Sequence, residues 1–163
     1  MTAPTFTMTR HFDAPPELVW RCWTEPELVG RWYGPGMETE VHAFDPVPVG
    51  LWLHEMKMGE QSMYQRIEFV EVDAPSKLVM LMSNADADWK IIPSPMMANW
   101  PTTLLTEVTF DPDAGGTLLT LKWTPFEASD AEHEAFAAAM ENLGQGWGKG
   151  MDVIANIVAE LAA

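Results

Sequence analysis

The chain has 163 residues, 47% of them hydrophobic, with 24 acidic side chains against 9 basic ones and a net charge of −15. That balance repels phosphate backbones and anionic lipid surfaces, so neither nucleic acid nor a membrane is an expected partner. A lone cysteine, Cys22, excludes an internal disulfide; with no leader-type segment at the start and no apolar run of about 20 residues, the sequence reads as one cytoplasmic domain spanning 1–163.

Residues 4–13 alternate Phe6, Met8 and Arg10 against Thr5, Thr7 and Thr9, which predicts a strand. Pro15 and Pro16 open a helix whose Leu18, Val19, Cys22 and Trp23 share a face, with Asp13 as the expected N-cap. Thr24 ahead of Pro26 signals a second helix, continued by Leu28, Val29 and Trp32 and ended by Gly34-Pro35-Gly36. From Met37 onward the apolar period falls to two. Strands are expected at 37–45, 50–58, 62–72, 77–83, 104–111 and 117–124, and their hairpin-length connections imply a curved, seven-stranded antiparallel sheet.

Residues 84–103 break the pattern. Pro93, Pro95 and Pro101 exclude a central strand or a continuous helix, while Trp89, Ile91, Ile92, Met96, Met97 and Trp100 argue for a packed loop, over either a cavity mouth or a sheet end. The remainder is helical. Ser129 and Glu132 form a capping-box pattern, and Phe136, Met140, Leu143, Trp147, Met151, Ile154, Val158 and Leu161 make one stripe. Gly144, Gly146, Gly148 and Gly150 interrupt it, each costing about 1 kcal/mol against alanine, and so predict a bend or a close approach to the sheet.

This order of elements resembles the helix-grip fold, in which a curved sheet wraps a final helix and leaves a cavity between them. The sequence resembles the SRPBCC (START-like) superfamily, and within it the family related to the C-terminal domain of the activators of the heat-shock protein 90 ATPase. The resemblance is carried by Arg10–Pro15, Val19–Pro26, Arg31–Pro35, Glu71–Val79, Thr106–Phe110 before Gly116-Thr117, and Gly146-Trp147. These stretches cover nearly the whole chain in family order. One departure is Val49–Met58, where the family usually has a Gly-Gly and an aromatic-basic strand.

Twelve methionines and eight tryptophans suit adaptable apolar binding better than a uniquely interlocked core. Alternation puts Trp52, His54 and Met56 on one strand face, where His54 is the one ionisable group among apolar neighbours and the sole candidate for an acid or base. The expected ligand-binding set is Trp52, His54, Met56, Phe69, Met80, Met82, Trp89, Trp100, Trp123, Met140, Trp147 and Met151, with Tyr33 as a rim group. Trp20 and Trp23 are read as anchors of the first helix on the sheet. Glu38, Glu40 and His42 share a strand face, yet nothing completes a coordination shell, so no metal and no cofactor is expected.

The leading expectation is a binding protein for a hydrophobic or aromatic small molecule. A cyclase- or dehydratase-like enzyme using the same cavity is the alternative implied by the superfamily, and a chaperone-regulating interaction module the one implied by the family. Leu51 and Leu53, on the face opposite Trp52, offer a surface on which two copies could pair as a homodimer.

Overall fold

The computed structural model describes residues 3–34, 37–95 and 97–162; Pro35, Gly36 and Met96, named above, lie outside the described residues. Its elements run β1 (Phe6–Phe12), α1 (Pro16–Thr24), α2 (Pro26–Trp32), β2 (Glu38–Phe44), β3 (Leu51–Met58), β4 (Gln61–Asp73), β5 (Lys77–Ala85), β6 (Thr103–Asp113), β7 (Gly116–Pro125) and α3 (Asp130–Ala162). The seven strands form one antiparallel sheet in the order β1-β7-β6-β5-β4-β3-β2. β1 and β2, neighbours in sequence, therefore occupy opposite edges. The chain travels between them through α1 and α2, which share the inner face of the sheet with α3. This is the helix-grip architecture expected from the order of elements.

Alternation sorts the side chains. On β3, Trp52, His54 and Met56 are buried inward while Leu51, Leu53 and Glu55 are half-buried outside. On β5, Leu78, Met80 and Met82 follow the same rule, and on β7 Leu119 and Leu121. From α1, Trp20 and Trp23 set their rings against Phe110 of β6 at 5.3 and 6.2 Å, edge to face, so they do anchor the helix. The hairpin joining β6 and β7 is tighter than the sequence suggested. Ala114 and Gly115 both take positive φ, 48° and 83°, the primed-turn geometry that matches strand twist.

Two helix starts differ from expectation. Pro15 holds the N-cap position of α1 in an extended conformation and carries no acceptor, while Asp13, two residues further out, faces His11 at 3.6 Å. At α2 the cap position falls to Glu25, whose carboxylate is taken by Arg21; the Thr24 hydroxyl instead donates back to the Trp20 carbonyl at 2.9 Å. Proline fixes the φ of the first turn in both helices, which removes the need for a side-chain cap. At α3 the capping box forms: Ser129 N–H donates to Glu132 Oε1 at 3.0 Å and Glu132 N–H to Ser129 Oγ at 3.2 Å.

The helix α3 runs unbroken through its four glycines. Its buried residues are Phe136 near the start and Gly150, Met151, Ile154, Ile157 and Val158 toward the end, so the stretch between 137 and 149 spans the sheet without a deeply buried residue.

Candidate functional site

A marked space on the inner face lies beneath that span. It is a cleft of about 260 Å³ bounded by Trp32, Tyr33 and Gly34 at the end of α2, Trp123 of β7, and Asn142, Leu143, Gly146, Trp147 and Gly150 of α3. The volume sits just below the roughly 300–1,000 Å³ typical of drug-sized ligands. A Cβ built on Gly146 meets nothing within 4 Å, whereas one on Gly150 would lie 3.2 Å from the Trp32 ring and 3.4 Å from its carbonyl oxygen. Gly150 thus lets α3 settle onto α2, and Gly146, exposed one turn earlier, borders the cleft beside that contact.

Trp147 is the hub of the surrounding rings. It stacks on Trp23 at 6.2 Å with an interplanar angle of 15°, and meets Trp123 at 5.5 Å and 89° and Tyr33 at 6.3 Å and 73°. Trp32 is held from behind, its Nε1–H donating to the Cys22 carbonyl at 2.7 Å. Cys22 itself is sealed, and burial pushes its thiol up to about 12, which makes it inert. Tyr33 is buried rather than at a rim. Its hydroxyl donates to Gln65 Oε1, and burial holds its pKa above the ordinary range.

Behind Tyr33 lies His54, with ring centroids 4.8 Å apart. The Trp52 Nε1–H donates to His54 Nδ1 at 3.1 Å, so the neutral ring carries its proton on Nε2. That Nε2 is buried with no hydrogen-bond partner, as are the Nε1 atoms of Trp23 and Trp123. Burial lowers the His54 pKa to about 4, against a smaller opposing influence of the Tyr33 main chain.

Of the expected ligand-binding residues, Trp123 and Trp147 line the cleft. Trp52, His54, Met56, Phe69, Met80, Met82 and Met151 are all core residues that fill the interior themselves, and Met140 packs half-buried against them. Trp100 closes the sheet end, 6.2 Å from Trp123 and 5.6 Å from Phe136. Trp89 is on the other side of the sheet. The connection after β5 folds back through the Ala85–Ile91 bridge and seats Trp89 against Tyr64 and His42, ring centroids 5.3 and 5.2 Å away, on the outer face that carries Glu55. No described residue between 84 and 103 borders the cleft, so this loop covers a sheet end and part of the outer face. Sequence reasoning took the four glycines for a bend or a close approach to the sheet; Gly150 makes a close approach, but to Trp32 of α2, and Asn142 and Leu143 were not assigned to the site.

Glu38 stands opposite Lys57 and does not join Glu40 and His42. A bulge at His42 brings its Nε2 to 3.2 Å from Glu40 Oε2 and 2.8 Å from Glu55 Oε1. The three groups lie within 4.8 Å of one another, but Lys57 and Ser62 already attend the two carboxylates. They make a hydrogen-bonded polar cluster on the outer face. No helix among the described residues is long and apolar enough to cross a membrane.

Residues 13–159 match the family described as Activator of Hsp90 ATPase homolog 1-like protein. No curated protein matches the chain by sequence. Among solved structures, protein Ms6760 from Mycobacterium smegmatis superposes with a TM-score of 0.76 at 22% identity, covering 96% of this chain and 95% of that one. A solution structure from Arthrobacter aurescens gives 0.78 at 19% identity over 98% and 92% of the two chains. A crystal structure from Rhodobacter sphaeroides gives 0.77 at 18% over 98% of each. At these identities the likeness is one of fold.

Proposed function

Because the chain belongs to the Activator of Hsp90 ATPase homolog 1-like family, we propose that it uses the helix-grip fold to bind a small apolar or aromatic molecule in the cleft under the middle of α3. The observation that carries this reading is the cleft itself, about 260 Å³ bounded by the rings of Trp32, Tyr33, Trp123 and Trp147, with no side chain on α3 at Gly146 to cover it. A concave, ring-lined cleft with few polar groups is the kind of site that takes apolar guests.

The lining supports holding a ligand rather than transforming one. Among the described lining residues, Tyr33 is the one titratable group, and its hydroxyl is engaged by Gln65. His54 is fully buried behind it, out of reach of a guest in the cleft.

The test is quenching of tryptophan fluorescence by a panel of small lipophilic and aromatic compounds, run on the parent protein and on Gly146→Leu. Saturable quenching that disappears in the leucine variant supports the reading. Silence across the panel, or quenching that survives Gly146→Leu in a folded protein, overturns it.

A further inference from the structure

Taking the cleft to be the binding site, we infer that its ligand carries a soft organic cation, of the trimethylammonium kind. Four rings, Trp32, Tyr33, Trp123 and Trp147, bound one small space, and two of them stand at 89° and 73° to the Trp147 plane. Edge-to-face packing on Trp147 holds these rings in place, and the π face of a tryptophan attracts a methylated ammonium more strongly than an uncharged group of the same shape.

Charge points the same way. No lysine, arginine or histidine lines the cleft among the described residues, and the nearest cation of α2, Arg31, is turned outward to Glu160 of α3 at 2.9 Å. Lys149 is exposed on α3 and does not border the cleft. A carboxylate or phosphate ligand would meet no counter-charge there and would approach a molecule of net charge −15; a cation is drawn in by that same field. The Asn142 amide oxygen can accept from a ligand hydroxyl at the mouth, and the cleft volume of about 260 Å³ holds a methylated head with a short tail.

The experiment compares choline with its uncharged isostere, in which carbon replaces the quaternary nitrogen, by tryptophan fluorescence and by indole N–H shifts in NMR. Choline should bind about threefold or more tightly than the isostere, a preference that Trp147→Leu should abolish and Gly146→Leu should remove together with all binding. Equal or weaker binding of choline overturns the inference and leaves the apolar-cleft reading standing if the isostere or the lipophilic panel still binds. A choline preference unaffected by Trp147→Leu also overturns it. Failure of choline, the isostere and the whole panel removes both.

Discussion

Trp52 and His54, two residues apart on β3, form a hydrogen bond in which the indole N–H donates to the imidazole Nδ1 at 3.1 Å, deep in the core. The pair commits the histidine to its neutral form, and this has a consequence for acid stability.

In the unfolded chain His54 titrates near its ordinary 6.5; in the folded chain burial lowers the value to about 4. Between these the unfolded state binds the extra proton, so stability is intact above about pH 6.5 and declines as the pH falls toward 4, by on the order of 3 kcal/mol in all. Urea midpoints between pH 7 and 4.5 for the parent and His54→Gln measure this. The parent should lose more than the variant, whose residual slope comes from carboxylates such as Glu132 and Glu160 that are held below their ordinary pKa. Equal losses would refute the assignment.

The two cleft-side glycines should respond in opposite directions to alanine. Gly146→Ala adds a methyl in open space within a helix and should stabilise by about 1 kcal/mol. Gly150→Ala pushes against Trp32, which its bond to Cys22 prevents from yielding, and should destabilise by about 1–3 kcal/mol. Thermal unfolding ranks them; a stabilising Gly150→Ala would mean that α3 and α2 are not locked together.

Met80 is fully buried on β5 and does not border the cleft. Met80→Ala should cost about 2–5 kcal/mol, yet the folded variant should bind any cleft ligand as the parent does. A large loss of affinity with little loss of stability would show that the binding space reaches deeper than Tyr33.

Ser129→Ala removes the hydroxyl that accepts from Glu132 N–H and should cost about 1 kcal/mol. Because Glu132 also accepts from the Thr102 amide, at 3.2 Å, Glu132→Ala should cost more and loosen the end of the connection into β6. Hydrogen exchange at Thr102 distinguishes them: it should accelerate in the glutamate variant and stay slow in the serine one.

Much of the architecture was legible because it rests on periodicity. The alternation that buries Trp52, His54 and Met56, the stripe from Phe136 to Val158 and the capping box are properties of spacing, and spacing is written in the chain. The cleft was harder to read, since a void depends on which atoms are missing. Gly146 and Gly150 are the same residue on one helix, yet one faces space and the other a tryptophan, a difference settled by where α2 comes to rest. The same holds for Trp89, sent to the outer face by a single bridge between Ala85 and Ile91. Methionine and tryptophan abundance suggested adaptable apolar binding; most of those side chains serve as the filling.

The bulge at His42 has a bearing on how copies of this molecule meet. β2 is an edge strand, and an edge with free main-chain groups invites another strand to extend the sheet. Here the ladder with β3 slips between Val41 and Ala43, and Glu38 and Glu40 crowd the same margin with negative charge. Sheet-to-sheet polymerisation through this border is thereby discouraged at its origin.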